Sequence, residues 1–230
     1  MDIQLLEFIE GAKKARGVAV IIDVFRAFSV ACYAFDAGAA RVITTSEVND
    51  ALKLRSIYRN SVLAGERKEK KIEGFDFGNS PTEIIKSDLK GKTFIHTTSA
   101  GTQGLANAVN ADMVLTGSLV NAGAVGRYIK TLNPQHVSLV AMGFRANESA
   151  GEDLLCAEII SSILLDKEPV DINRVIDLRH TSGKRFFITE NIDFAPPTDF
   201  FLCTMMDRFN FVLNAIRRPD GNIELFRIDL

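Results

Sequence analysis

Val18-Ala19-Val20-Ile21-Ile22-Asp23, residues 18–23, decides the fold. Four of the first five residues are β-branched, the composition of a strand, and the run stops on an acid. The same pattern recurs along the chain. Arg41–Thr44, Ser61–Ala64, Thr93–His96, Met113–Thr116 and Val137–Ala141 have strand character, and the segments between them carry a helical period. This alternation predicts an α/β fold, layered α/β/α, with a largely parallel or mixed sheet. Past residue 180 the pattern loosens. Arg185–Ile188 and Glu224–Ile228 are expected as strands, and Asp199–Ile216 as an amphipathic helix stopped by Arg217-Arg218-Pro219-Asp220-Gly221.

A shift of 72 positions lays Val42-Ile43-Thr44 on Val114-Leu115-Thr116, and Ser46, Val48 and Asn49 on Ser118, Val120 and Asn121. The register brings the turn after Asp23 onto the turn after Ile95. A duplicated β-loop-α-β unit would explain this and predicts two similar halves facing each other across a cleft. No Pro/Gly/Ser-rich linker divides the chain, so residues 1–230 are expected as one α/β domain, with possible subdomains of about 1–90 and 91–230.

The 230 residues are 47% hydrophobic, enough to bury a substantial core. Net charge is −2, which supplies no basic footprint for nucleic acid or an anionic membrane. A small molecule is the expected partner, and a homo-oligomer remains open. Cys32, Cys156 and Cys203 are too few for a disulfide scaffold, and the early apolar run is too short for a bilayer span. With no secretion signal read at the N-terminus, a cytoplasmic location is expected.

Ligands of parallel sheets bind beyond the carboxyl ends of the strands. Four such exits here are polar: Asp23 and Arg26; Gly65-Glu66-Arg67; Thr97-Thr98-Ser99-Ala100-Gly101-Thr102; and Arg145 followed by Glu152-Asp153. The Thr97–Thr102 loop precedes an expected helix, Gln103–Val109, and its amides would suit an anion. An N-cap without a ligand is the alternative, and the loop lacks the Gly-Lys-Ser/Thr of a P-loop. Asp76, set between two phenylalanines, needs a charged partner, a metal ion or a basic side chain, and Asn79 lies close by. Ser80-Pro81-Thr82-Glu83 and Ser149-Ala150-Gly151-Glu152 both have capping-box spacing, which makes Ser80 and Glu83 structural and gives Glu152 a structural alternative. Glu152 and Cys156 share a helical face, although an inert buried thiol is the commoner outcome for such a cysteine. Arg179, Ser182, Lys184 and Arg185 form a basic turn, either a solvated loop or a grip for a second anionic group.

Several phosphatase chemistries fail on spacing. Six positions after the cysteines stand Gly38, Ser162 and Phe209 instead of arginine, and Phe25, not aspartate, stands two after Asp23. Three scattered histidines make a zinc site improbable. A hard cation on carboxylates remains, magnesium being the natural choice for phosphate esters.

The chain resembles the 2-phosphosulfolactate phosphatase family over nearly its whole length. The resemblance is carried by Ile22-Asp23-Val24-Phe25-Arg26-Ala27, Gly65-Glu66-Arg67, Gly74-Phe75-Asp76-Phe77-Gly78-Asn79-Ser80-Pro81, Thr97–Thr102, Gly117-Ser118, Asn121-Ala122 and Glu152-Asp153-Leu154-Leu155-Cys156-Ala157. It departs at the lysine-rich turn Lys68, Lys70, Lys71 and at Ala100. It implies a magnesium-dependent hydrolysis of 2-phosphosulfolactate to sulfolactate and phosphate, a step of coenzyme M synthesis. Another phospho-hydroxy acid as substrate and a non-catalytic anion-binding homologue are the alternatives. On this reading Asp23, Glu66, Asp76 and Glu152 or Asp153 are candidate magnesium ligands. Arg26, Asn79, Thr97, Thr98, Ser99, Gly101 and Thr102 are candidates to hold the phosphoryl group, with Arg179 and Ser182 on the second anion. Asp23, Arg26, Glu66, Asp76, Glu152 and Cys156 are the catalytic candidates.

Overall fold

The computed structural model describes residues 1–230. Its first half runs β1 (Asp2–Glu7), α1 (Phe8–Lys14), β2 (Val18–Ile22), α2 (Ala27–Asp36), β3 (Arg41–Thr44), α3 (Val48–Ile57), β4 (Ser61–Arg67), β5 (Lys70–Lys71) and α4 (Pro81–Ile84). The second half runs β6 (Thr93–Thr97), α5 (Gly101–Asn107), β7 (Met113–Gly117), α6 (Ala122–Leu132), β8 (His136–Ala141), α7 (Gly151–Leu164), α8 (Asn173–Asp177), α9 (Pro197–Cys203), β9 (Phe211–Arg217) and β10 (Ile223–Asp229). Ten strands form one mixed sheet in the order β1-β8-β2-β7-β9-β10-β3-β6-β4-β5. No helix is long and apolar enough to cross a membrane.

The α/β expectation holds, and its six internal strands and the β10 strand are all present. Alternating side chains explain the layering. On β2, Ala19 and Ile21 pack with α1, α2 and α5 on one face, while Val18, Val20 and Ile22 pack with α6 and α7 on the other. On the far part of the sheet, Ile43, Leu63 and Ile95 face α3 through Ala51 and Leu54. Every residue of β2 is buried, as a strand covered on both faces must be.

Two expectations near the C-terminus are corrected. Arg185–Ile188 is not a strand: residues Ser182–Phe187 coil into 3-10 turns, with Phe186 packed edge-on against Phe25. The helix expected over Asp199–Ile216 ends at Cys203, and Phe211–Arg217 is strand β9, paired antiparallel with β10 from Phe211↔Asp229 to Arg217↔Ile223. The apolar run Phe209–Leu213 suits either structure by spacing. Ladder pairing with β10 and burial of Phe211, Val212 and Leu213 decide it.

The internal similarity has a counterpart in the pairing. In chain order the parallel strands form two sets, β2-β3-β4 and β6-β7-β8. In the sheet, β2 lies between β7 and β8, and β6 lies between β3 and β4, all parallel. The first strand of each set is thus inserted into the other set, and the β9-β10 hairpin joins the two trios. The halves are interlocked, and a cut near residue 90 would leave β2 without either neighbour.

Candidate active site

The exits of β2, β4, β6 and β8 converge, and buried carboxylates hold them together. Asp23, one residue past β2, accepts from the amide N–H of Ala27 through Oδ1 at 3.0 Å and from that of Gly101 through Oδ2 at 2.8 Å. It thereby caps α2 and draws in the loop after β6. A Cβ at position 101 would lie 2.8 Å from Asp23 Oδ2 and 2.9 Å from the Ala27 Cβ, so only glycine permits this approach. Burial pushes the Asp23 carboxyl up to about 6, with the charges of Glu66 and Glu152 adding to the rise and the two amides opposing it.

Glu66, near the end of β4, holds the same loop from the other side. Its Oε1 accepts from Ser99 N–H at 2.6 Å, and its Oε2 from the Ser99 hydroxyl at 3.1 Å and Glu69 N–H at 2.8 Å. Thr98 N–H goes to Thr102 Oγ1, Thr102 N–H to Thr98 Oγ1, and the Thr97 hydroxyl accepts from Arg67. Most amides of the Thr97–Thr102 loop are therefore engaged by the protein's own oxygens rather than free to cradle an anion.

Arg26 is also engaged. Its Nη1 donates to Asp199 Oδ2 and to the Phe194 carbonyl, both at 2.6 Å, and its side chain is 3% exposed against 0% for Asp199. Asp199 Oδ1 in turn accepts from the Ser80 hydroxyl at 2.7 Å and Thr82 N–H at 3.0 Å. The Ser80–Glu83 capping box does not form: Ser80 points to Asp199, and Glu83 accepts from Gly78 N–H. Nor does Ser149–Glu152 form one, since Ser149 donates to Glu7 and Ala150 is the N-cap of α7.

Facing these acids is a basic and aromatic wall. Arg145, Arg185, Phe25 and Phe144 line a pocket with Asp23, Glu66 and Glu69, leaving about 30 Å³ of free space. Arg185 donates to the Phe25 carbonyl at 3.0 Å and stacks on Phe144 and Phe186 with centroid distances of 4.8 and 5.2 Å. Arg145 stacks on Phe144 at 4.7 Å. Asn79 enters the same pocket. Burial pushes His96 down to about 3, so its ring is neutral, and its Nε2 is 3.1 Å from Asn79 Oδ1. With the ring donating from Nε2, the Asn79 amide nitrogen is left for the pocket.

Other candidates are placed elsewhere. Asp153 is fully engaged by backbone, Oδ1 with Val24 N–H and Oδ2 with Gly143 N–H at 2.8 Å each, and so ties β2 to β8. Asp76 accepts from Leu63 N–H and pairs with Arg55 at 2.7 Å, away from the pocket; its charge partner is a basic side chain. Cys156 is buried among apolar residues, and desolvation followed by the charge of Asp153 holds its thiol well above the ordinary range. Arg179 stacks on Phe187 at 4.4 Å outside the pocket. Glu152 is 3% exposed; its Oε2 has no hydrogen-bond partner, and burial raises its carboxyl while Arg185 and Ser182 oppose the rise. Asp199 and Glu69 escape sequence reading, because their partners lie far along the chain.

Of Asp23, Glu66 and Glu152, only Glu152 keeps a buried carboxylate oxygen without a partner, whereas both oxygens of Asp23 and of Glu66 accept from amides or a hydroxyl. Burial is the main cause of the rise at Asp23, and the charges of Glu66 and Glu152 add to it in smaller measure. No three acidic, histidine or cysteine side chains converge so that they could hold a metal ion.

Comparison with known proteins follows the same line. The sequence profile of the 2-phosphosulpholactate phosphatase family matches residues 4–182. A Caldanaerobacter subterraneus subsp. tengcongensis protein named "Probable 2-phosphosulfolactate phosphatase" is 40% identical over 159 residues, 67% of this chain and 66% of the relative. Identically named proteins of Clostridium beijerinckii (38% over 163 residues, 70% of this chain and 66% of the relative) and Clostridium perfringens strain SM101 (34% over 191 residues, 81% and 75%) are also similar. The matched region thus spans just under two thirds of the first two relatives. The profile covers every residue that surrounds the pocket up to Ser182, and the chain belongs to the 2-phosphosulpholactate phosphatase family.

Proposed function

We propose that this chain is a magnesium-dependent phosphatase that hydrolyses the phosphate ester of 2-phosphosulfolactate to sulfolactate and phosphate, a reaction of coenzyme M synthesis. The observation that carries the reading is the division of one pocket into an acidic wall, Asp23 and Glu66, and a basic wall, Arg145 and Arg185. A phosphate ester of an acid needs both: acids to hold the cation that faces the phosphoryl group, and guanidinium groups for the remaining anions. Membership of the family and the names of the relatives support it.

Asp23 and Glu66 in the pocket and Glu152, with its unpartnered buried oxygen, are the acids that could hold magnesium, which when bound would neutralise phosphoryl charge. Asp23, with a carboxyl at about 6, is ionised at neutral pH yet basic enough to accept a proton from the attacking water. The water oxygen bonds to phosphorus as its proton passes to Asp23, the ester P–O bond breaks, and the leaving alkoxide takes up a proton from solvent, to which Asp23 returns its own. Asn79, held by His96, offers its amide N–H to a phosphoryl oxygen. Arg26 acts through position, since its ion pair with Asp199 fixes the turn that follows Asp23.

Phosphate release from 2-phosphosulfolactate and a panel of phospho-hydroxy acids, by chelator-stripped protein with and without magnesium, tests the reading. Release is expected only with magnesium, and Asp23→Asn is expected to lower kcat on the order of 100-fold or more. Release from another acid alone would replace the substrate; no release from any would overturn the reading.

A further inference from the structure

The turn between β4 and β5 puts an acid against the basic wall of the pocket. Lys68 and Glu69 both take left-handed backbone conformations, with φ of 53° and 70°, which non-glycine residues adopt at a cost. The bend aims Glu69 at the basic wall. Its Oε1 lies 3.2 Å from Arg185 Nε, its Oε2 4.0 Å from Arg145 Nη2, and its backbone carbonyl accepts from Arg26 Nη2 at 3.4 Å.

The fit is imperfect. Arg185 Nε is buried and makes no hydrogen bond, because the Glu69 carboxylate lies off the N–H direction, and the Arg145 contact is at the outer limit of an ion pair. Guanidinium groups bind carboxylates and sulfonates best when N–H bonds point at the oxygens. Glu69 lines the pocket together with both arginines, so its carboxylate occupies the side of the guanidinium groups that an incoming acid would use. An acid that enters must take over the arginines from Glu69.

We propose that Arg145 and Arg185 form an anion subsite for the carboxylate or sulfonate of a substrate, and that Glu69 is its built-in competitor, displaced when the β4-β5 turn withdraws. The proposal rests on the phosphatase reading only for the phosphoryl end of the ligand. Glu69 sets selectivity by opposing every ligand that lacks an anion able to replace its own contacts, a discrimination built from a competing charge.

Calorimetric titration with sulfoacetate, which carries a sulfonate and a carboxylate but no phosphate, tests the subsite without any turnover. Glu69→Gln and Glu69→Ala are expected to bind sulfoacetate about tenfold more tightly than the unaltered chain, since a charge opposing the ligand has been removed. Glu73→Gln, an equal charge change at an exposed position nearby, is expected to leave affinity unchanged. Adding Arg185→Ala to Glu69→Gln should abolish the gain, with circular dichroism confirming that the variants are folded. Equal affinity of the unaltered chain and both Glu69 variants, or the same gain from Glu73→Gln, would overturn the proposal. Because no phosphate is involved, absent phosphatase activity leaves this result unaffected, and the converse also holds.

Discussion

Asp199→Ala removes the acid that neutralises Arg26, and its cost can be worked from the geometry. The two side chains are 3% and 0% exposed and meet at 2.6 Å, so the guanidinium left behind is a buried charge with only the Phe194 and Glu69 carbonyls as acceptors. Breaking such a pair from one side costs about 3–5 kcal/mol. The Ser80 hydroxyl and Thr82 N–H lose their acceptor as well, which places the expected loss toward the upper end. For a chain of this size a loss of about 4 kcal/mol lowers the midpoint by about 8–16 °C. Urea unfolding at neutral pH reads it as a lower midpoint concentration at constant slope. Arg26→Met combined with Asp199→Asn removes the charge and keeps an acceptor for Ser80 and Thr82, and should recover at least half of the loss. A loss under about 1 kcal/mol for Asp199→Ala, or no recovery in the double variant, would refute the reasoning.

Glu152→Gln should stabilise the metal-free protein by on the order of 1 kcal/mol, because an unpartnered buried carboxylate becomes neutral, while phosphate release falls; equal or lower thermal stability would count against a destabilised Glu152. In chelator, Asp23 contributes pH dependence of a definite sign: its folded carboxyl is raised to about 6 from an ordinary 3.8, so its contribution is fully present below 3.8 and is lost as pH rises through about 6. The loss amounts to about 3 kcal/mol between those limits, and Asp23→Asn should flatten that part of the urea-midpoint profile; an unchanged profile would sink the assignment. Gly101→Ala, whose Cβ would meet Asp23 Oδ2 at 2.8 Å, should cost about 1–3 kcal/mol and reduce phosphate release, measured on the same preparation. Unchanged activity there would show that the Asp23–Gly101 contact is dispensable.

The parallel strands are legible because a strand buried on both faces must be written in apolar residues, as Val18–Ile22 is. Polar exits are legible for a related reason: Asp23, Glu66 and Ser99 interrupt or follow such runs and have no local role that sequence can supply. What escapes is decided at long range. Phe209–Leu213 becomes a strand only because Ile223–Asp229 pairs with it. The Thr97–Thr102 amides read as free donors, yet Asp23 and Glu66, from 78 and 33 positions away, engage them. Arg26 reads as a phosphate ligand until Asp199 arrives from 173 positions away. Asp76 needs a charged partner, as its apolar neighbours imply, and Arg55 pairs with it. Local patterns identify which groups need partners; the fold decides among them.

The exchange of strands between the two sets matters on the ribosome. β2 emerges early, but both of its hydrogen-bonding neighbours, β7 and β8, lie on the order of 100 residues downstream. At translation rates of about 5–20 residues per second, the nascent chain carries an unpaired, wholly apolar strand for roughly 5–20 s. Such a strand is open to edge-to-edge association with another chain until β8 is released. Chain length at release, rather than stability of the finished protein, should therefore govern its yield: expression stopped before Ala141 should give aggregated product and depend on chaperones that shield nascent chains.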